Sequence, residues 1–175
     1  MAQADRLDVL ILMGSDSDLP VMAAAGQLLD QLRVPWETTI ASAHRSPERV
    51  ERVVADALRR GARVFIVGAG AAAHLAGVIA ARTTRPVIGV PVESGGLGGL
   101  DALLSTVQMP PGVPVATVSV GKSGATNAAV LAAQILALGD ADLDRRLVEY
   151  KRSLADKVEQ AAARLEADKA SRDGK

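Results

Sequence analysis

Five short apolar runs, each followed by an alanine-rich or amphipathic segment, constrain the fold of this chain more than any other feature. Short runs of this kind are typical of buried strands, and the segments between them have the period of helices. Such alternation predicts a parallel sheet that is covered by helices on both faces. The predicted strands are VLILM (9–13), WETTIA (36–41), RVFIV (63–67), VIGV (87–90) and VATVSV (115–120).

The segment after the second predicted strand shows how one strand–helix unit is built. Ser46 is a residue type that favours the helix N-cap, Pro47 suits the first helical position, and Gly61 ends the pattern. Between them, apolar residues recur on one helical face. Five such units in succession predict a flavodoxin-like three-layer α/β/α fold with a five-stranded parallel sheet.

The C-terminal segment differs from the rest, because it is charged and contains no strand candidate. Apolar residues recur every three or four positions over 142–166, which predicts one long amphipathic helix. We expect residues 1–139 to form the flavodoxin-like catalytic domain. Residues 140–175 are expected to form a C-terminal amphipathic helix and tail of the same single-domain subunit, docking on a neighbouring subunit. A helix that lies on its own domain is the alternative.

Composition narrows the class of partner. Twenty basic and twenty acidic residues give no formal net charge, which argues against a nucleic-acid or membrane partner. The chain has no cysteine, so disulfides, a thiolate nucleophile and cysteine-based metal sites are excluded. Its start lacks the features of a signal peptide, and no apolar run approaches the roughly 20 residues that span a bilayer. We expect a cytoplasmic protein that acts on a small molecule.

Polar residues collect in the loops that follow the predicted strands. In open parallel sheets, ligands bind beyond the carboxyl ends of the strands, near the point where strand order reverses. The sequence therefore predicts one ligand site at this end of the sheet. The loops expected to form it are GSDSD (14–18), ASAHRS (41–46), GAGAAAH (68–74), PVESGGLGG (91–99) and GKSGATN (121–127).

The first of these loops has the composition of a capped turn or of an anion site. Ser17 or Asp18 is placed to cap the following helix, with Pro20 just inside it. Hydroxyl groups and free backbone amides suit a phosphate, whereas the carboxylates of Asp16 and Asp18 suit sugar hydroxyls. A nucleotide monophosphate fits both sets of groups.

The second loop places a titratable imidazole beside a fixed cation. His44 is the residue type best matched to proton transfer near neutral pH, and Arg45 can bind a phosphate with two parallel hydrogen bonds. A solvated or backbone-bonded histidine is the alternative. The position of His44 favours a functional role, because its loop follows a predicted strand and lies at the same end of the sheet as the other polar loops.

Three further patterns are weaker. GAGAAA (68–73) matches a dinucleotide-binding fingerprint with Glu93 downstream, but it follows the third strand, so we expect it to form a wall for a flat ligand with His74 at its edge. The glycine-rich segment 93–99 either closes over a ligand or is a flexible connection. GKS at 121–123 is no phosphate loop, because position 116 is alanine. No metal site is predicted, since the two histidines lack a metal-binding spacing.

The motifs GSDSD, SAHRSP, GAGAAAHLAG and the stretch from LGGLDALLSTVQMPPG to AAVLAAQIL together resemble class I N5-carboxyaminoimidazole ribonucleotide mutase, the PurE family of purine biosynthesis. The resemblance runs from about Val9 to Leu138. It implies a flavodoxin-like homo-octamer without metal or organic cofactor, in which the C-terminal helices pack on neighbouring subunits.

The resemblance also implies a reaction: the carboxylate moves from N5 of N5-carboxyaminoimidazole ribonucleotide to C4, giving 4-carboxy-5-aminoimidazole ribonucleotide. It implies that His44 transfers the protons while carbon dioxide stays in a closed site. The residues that match substrate-binding positions are Ser15, Asp18 and Arg45. The resemblance also implies that Ser17 and Ser42 contact the phosphate or the ribose, and that Gly70 and His74 lie in the pocket wall.

Two departures from the family pattern concern the pocket wall: Ala71 and Ala76 stand where glycine and proline are frequent. The related class, which carboxylates aminoimidazole ribonucleotide directly with carbon dioxide, usually has lysine after the histidine, so Arg45 favours the mutase. The direct carboxylase and a non-catalytic nucleotide-binding module remain the alternatives.

Overall fold

The structure is a computed structural model that describes residues 6–173. Its strands are β1 (Val9–Met13), β2 (Trp36–Ile40), β3 (Val64–Gly70), β4 (Val87–Val92) and β5 (Ala116–Thr117). They form one sheet in the order β2-β1-β3-β4-β5, and every neighbouring pair is parallel. The predicted five-stranded parallel sheet is confirmed.

Helices cover both faces of this sheet. Over the described residues they are α1 (Leu19–Gln31), α2 (Pro47–Arg59), α3 (Leu75–Ala80), α4 (Leu100–Val107), α5 (Gly121–Ala137) and α6 (Ala141–Asp173), with a short 3₁₀ helix at Asp16–Asp18. One core lies between the sheet and α1 and α5, and the other lies between the sheet and α2, α3 and α4. The three-layer arrangement is the one expected.

Strand β1 shows why the strands are apolar along their whole length. Val9 and Ile11 pack in the core under α1 and α5, whereas Leu10 and Leu12 pack in the core on the opposite face. Successive side chains of a strand point to opposite faces, so a strand that is covered on both sides carries no polar alternation.

Two strands run further than the sequence predicts. The predicted ends were residues 67 and 90, whereas β3 continues to Gly70 and β4 to Val92. Gly68 and Gly70 stay in register with residues of β4. Neighbouring side chains fill the space above them: a Cβ on Gly68 would lie 2.4 Å from Met22 Sδ. Because glycine has weak strand propensity, the sequence did not predict that β3 and β4 extend this far, and the packing in the structure explains the extension.

Strand β5 is shorter than the predicted 115–120. It is an edge strand that pairs only with β4, through Ala116 and Thr117. The amide of Val118 still donates to the carbonyl of Gly89 (3.0 Å), and the chain then turns into α5.

Helix α6 begins where the carboxylate of Asp140 accepts hydrogen bonds from the amides of Asp142 (3.1 Å) and Leu143 (3.0 Å). Leu143, Leu147 and Tyr150 pack against the core under α1 and α5. The helix continues to Asp173, through part of the segment predicted as a tail. Of the helices in residues 6–173, none is long and apolar enough to cross a membrane.

Candidate active site

A cavity of about 290 Å³ opens beyond the carboxyl ends of β1, β2 and β3. The chain passes from β1 to β2 on one side of β1 and returns to β3 on the other, so the cavity lies where strand order reverses. Its lining includes residues that follow β1, β2 and β4 and residues at the end of β3. The lining residues are Gly14, Ser15, Ser17, Asp18, Ser42, Ala43, His44, Arg45, Ala69, Gly70, Ala72, Leu75 and Ser94.

Four of the five loops expected to meet here do so. The exception is GKSGATN (121–127), from which no residue lines the cavity. It follows β5 at the edge of the sheet, separated from β3 by β4. This expectation was wrong because strand order, which periodicity does not give, places β5 too far away.

The first loop folds as a 3₁₀ helix with Ser15 as its N-cap residue. The Ser15 hydroxyl donates to Asp16 Oδ1 (3.0 Å), and the Ser17 amide donates to both Ser15 Oγ (3.3 Å) and Asp16 Oδ1 (3.1 Å). Asp18 is the N-cap residue of α1, one of the two positions expected, but its side chain makes no cap hydrogen bond there.

Asp18 is a buried acid on the cavity wall, with 7% of its surface exposed. Burial raises the pKa of the Asp18 carboxyl, while hydrogen bonds from the Ser15 backbone and the Ser17 side chain act in the opposite direction. A buried carboxylate stabilised by donors on one side can accept hydrogen bonds from ligand hydroxyls on the other.

Arg45 is held across the cavity by backbone and hydroxyl groups. Its guanidinium donates to the carbonyl of Gly14 (3.1 Å), and its amide donates to Ser42 Oγ (3.2 Å). Within residues 6–173 it forms no ion pair with a carboxylate. Its charge is therefore available to an anionic ligand.

Ser46 shapes this same loop rather than the helix after it. It is the N-cap residue of α2, but its side chain makes no cap bond there. Instead its hydroxyl accepts from the Ser42 amide (3.1 Å) and donates to the Ser42 carbonyl (3.3 Å). This bracing fixes the turn that carries His44.

The two histidines contact each other. His44 Nε2 lies 2.9 Å from His74 Nδ1, and the rings meet edge to face with centroids 5.0 Å apart. One of the two nitrogens must donate and the other accept, so the tautomer of one ring determines that of the other. His74 stands beside His44 and does not itself line the cavity. Thirty positions separate them, so sequence reasoning placed both near the site but missed their hydrogen bond.

Gly70 and Ser94 form the opposite wall. A Cβ on Gly70 would lie 2.7 Å from Ser94 Cβ and 3.1 Å from the carbonyl of Val92, so only glycine fits here. Ser94 was not singled out from the sequence. Its signal is the one that marked Ser15 and Ser42: each is a serine just after the carboxyl end of a strand.

The dinucleotide alternative does not fit this geometry. The glycines of its fingerprint, Gly68 and Gly70, lie within β3, and α3 is only six residues long. A dinucleotide motif needs glycines in the turn that leads from strand to helix. Over residues 6–173, no group of three or more acidic or histidine side chains is arranged to hold a metal ion.

Comparisons with a family model, with curated proteins and with solved structures each find matches that cover most of this chain. The family model described as AIR carboxylase matches residues 8–157. The N5-carboxyaminoimidazole ribonucleotide mutase of Pyrococcus horikoshii is 53% identical over 156 residues, which are 89% of this chain and 87% of that protein. The phosphoribosylaminoimidazole carboxylase of Candida glabrata is 51% identical over 89% of this chain but only 27% of its own length. The crystal structure of Treponema denticola PurE has a TM-score of 0.82 at 28% identity, covering 91% of this chain and 99% of that one.

Proposed function

The chain belongs to the AIR carboxylase family, and we propose that it is an N5-carboxyaminoimidazole ribonucleotide mutase of purine biosynthesis. The observation that carries this is identity of about half over nearly the whole chain with a protein of that name. The enzyme is thus an isomerase, which converts N5-carboxyaminoimidazole ribonucleotide to 4-carboxy-5-aminoimidazole ribonucleotide.

The polar groups of the cavity suggest how the ribonucleotide binds. Arg45 supplies a guanidinium that forms no ion pair within residues 6–173, with the hydroxyls of Ser15, Ser17 and Ser42 beside it for the phosphate. Asp18 would repel a phosphate, and its buried carboxylate instead accepts from ribose hydroxyls. The phosphate and sugar would then fix the imidazole ring toward His44.

His44 is the proton-transfer residue in this proposal. The bond between N5 and the carboxylate breaks, releasing carbon dioxide, and N5 takes up a proton. Ring carbon C4 then attacks carbon dioxide, and His44 removes the C4 proton to restore aromaticity. One proton is gained at N5 and one is lost at C4, so the reaction is balanced. His74, 2.9 Å from His44, holds the ring orientation and its tautomer.

Capture of carbon dioxide depends on a site that limits its escape. Residues 68–74 and 94–99 would supply the walls, since Ala69, Gly70, Ala72 and Ser94 already line the cavity. Holding carbon dioxide against C4 replaces an encounter in solution by one within the site. The steps are cleavage of the bond between N5 and the carboxylate, formation of one carbon–carbon bond at C4, and two proton transfers, and this proposal assigns them to side chains without a metal or organic cofactor.

We further propose that the enzyme is a cytoplasmic homo-octamer, in which α6 of the 140–175 segment docks on a neighbouring subunit. Apolar side chains remain uncovered around α6: Leu138 is 90% exposed, Val158 65% and Leu165 64%. A cavity of about 450 Å³ beside α5 and α6 is lined by Leu138, Leu147 and Leu154. Uncovered apolar surface of this extent is typical of an interface.

The direct carboxylase is the second candidate, favoured by the 51% identity to the Candida glabrata carboxylase. A substrate assay separates the two: purified enzyme receives either N5-carboxyaminoimidazole ribonucleotide, or aminoimidazole ribonucleotide with carbon dioxide and bicarbonate. The mutase forms product rapidly from the first. Product from the second alone would replace the mutase by the carboxylase.

A non-catalytic binding module gives His44 no part in turnover, and the variant His44→Asn tests this. If His44 transfers protons, this variant loses about 10²- to 10⁴-fold in kcat while still binding product. Turnover within tenfold of the unsubstituted enzyme would remove His44 from the reaction.

A further inference from the structure

A carboxylate of the chain itself already accepts hydrogen bonds from two residues of the cavity wall. Ser15 and Ser17 line the cavity, but the hydroxyl of Ser15 donates to Asp16 Oδ1 (3.0 Å) and the amide of Ser17 donates to the same oxygen (3.1 Å). Asp16 is exposed, does not line the cavity and forms no ion pair within the described residues.

We propose that Asp16 is an internal competitor for the substrate's phosphate and so determines how tightly the ribonucleotide binds. The inference rests on the proposed function, which places a phosphate at Arg45 and these serines. The proposed function itself gives Asp16 no role, either in holding the substrate or in proton transfer.

Hydrogen-bond capacity gives the first reason. The Ser15 hydroxyl has one hydrogen, so it cannot donate to Asp16 and to a phosphate oxygen together, and the Ser17 amide hydrogen is already shared between Ser15 Oγ and Asp16 Oδ1. A phosphate that uses these donors must displace the carboxylate. Because Asp16 is exposed, its side chain can turn into water without leaving an unsatisfied group.

Charge gives the second reason. A carboxylate bonded to two residues of the cavity wall lies within a few ångströms of any anion there, and like charges at such distances repel measurably even in a solvated site. Among residues 6–173, Arg45 is the one arginine that lines the cavity, so one negative charge offsets much of the attraction it provides.

The consequence concerns product release as well as binding. The product keeps the phosphate of the substrate and carries its carboxylate on carbon, so any group that weakens phosphate binding also speeds product departure. Differences in affinity between close variants arise mostly in the dissociation rate. Asp16 would therefore raise the dissociation rates of both ribonucleotides.

The test is titration of the full-length enzyme and its Asp16→Asn and Asp16→Ala variants with three probes: 4-carboxy-5-aminoimidazole ribonucleotide, its dephosphorylated riboside, and inorganic phosphate. Glu48→Gln is the matched control. Glu48 is an exposed acid in the first turn of α2, close in sequence to Arg45 but absent from the cavity lining. Thermal unfolding confirms that each variant is folded.

We expect Asp16→Ala to bind the ribonucleotide about 5- to 30-fold more tightly, the value of one or two hydrogen bonds regained plus a repulsion removed. Asp16→Asn keeps an acceptor oxygen for the same donors and loses only the charge, so its gain should be smaller, about 2- to 5-fold. Phosphate should follow the same direction, and riboside affinity should stay within twofold. The gain should shrink at high salt, because ionic strength screens an exposed charge. Glu48→Gln should change none of these.

Unchanged or weaker ribonucleotide binding by both folded variants would overturn the proposal, and so would an equal gain for the riboside. A failure of the proposed function looks different. If the unsubstituted enzyme bound phosphate but neither the ribonucleotide nor its riboside, the phosphate titration would still measure the effect of Asp16.

Discussion

Among single residues, the two acids of the loop after β1 show how position, rather than residue type, assigns a role. Asp16 and Asp18 are two positions apart, yet Asp16 is exposed and Asp18 is buried on the cavity wall. The sequence indicated that both carboxylates suit sugar hydroxyls rather than a phosphate. It could not show that Asp16 bonds the same donors a phosphate would use, because this depends on the backbone course of a three-residue helix.

The buried Asp18 gives a prediction about pH and stability. Its pKa is raised by burial, so the folded state disfavours the ionised carboxyl. The folded state is therefore favoured at pH values below the ordinary pKa of 3.8, and this advantage is lost as pH rises through the raised pKa. Asp18→Asn should unfold at a higher temperature than the unsubstituted enzyme at pH 7.5, and the difference should narrow toward pH 4.

The same variant should lose ribonucleotide affinity by about tenfold to hundredfold, because a charged hydrogen-bond acceptor is removed from the ribose. Calorimetric unfolding across pH, with product titration at pH 7.5, measures both effects. The stability gained by Asp18→Asn over the unsubstituted enzyme should be larger at pH 7.5 than at pH 4. A larger gain at pH 4 would contradict the raised pKa of Asp18.

Secondary-structure elements were predictable where packing is regular and less so where small residues end a strand. Strand β1 matches its predicted bounds, because its apolar run is interrupted at once by Gly14. Strand β3 was predicted too short, because the glycines at its end pack under Met22 and against the Ser94 loop. The contact between His44 and His74 was likewise not predictable, because it depends on where the ends of β2 and β3 lie relative to each other in the sheet.

At the level of elements, the start of α5 depends on one glycine. A Cβ on Gly124 would lie 1.6 Å from the carbonyl oxygen of Ser119, and a backbone atom cannot move aside as a flexible side chain can. Gly124→Ala should therefore lower the free energy of unfolding by about 3 kcal/mol or more, since the helix or the preceding turn must shift.

Gly139→Ala is the control for this prediction, because no atom lies within 4 Å of the position where its Cβ would be built. We expect it to change stability by no more than about 0.5 kcal/mol, as surface substitutions usually do. Urea unfolding of both variants measures the difference. Equal stabilities would show that the α5 start adapts more freely than the close approach indicates.

For the whole molecule, a helix of 33 residues on a domain of this size leaves apolar surface that one subunit does not bury. Its amphipathic period was predictable from sequence, and so was its start after Gly139. Where α6 leaves the domain was not, because that depends on how far α1 and α5 extend beneath it. Leu143 and Leu147 pack on the core, whereas Val158 and Leu165 do not.

Val158→Lys tests the proposed assembly. A charge on the exposed apolar part of α6 should dissociate an octamer of 18.0 kDa subunits into smaller species without unfolding the subunit. Glu159→Lys, a neighbouring exposed position off the apolar stripe, is the control and should leave the assembly intact. Sedimentation velocity reports both, and an unsubstituted enzyme that sediments as a monomer would exclude the docking role of α6.

In the proposed reaction, a carboxylate migrates within one cavity beside His44. Isotope tracing tests it most directly: substrate with a ¹³C label in the N5-carboxylate is converted in unlabelled bicarbonate with carbonic anhydrase present, and the product carboxylate is analysed. Retention of the label in the C4 carboxylate is the predicted result. Product labelled no more than the bicarbonate pool would show that carbon dioxide is taken from solution, and would contradict migration within the cavity.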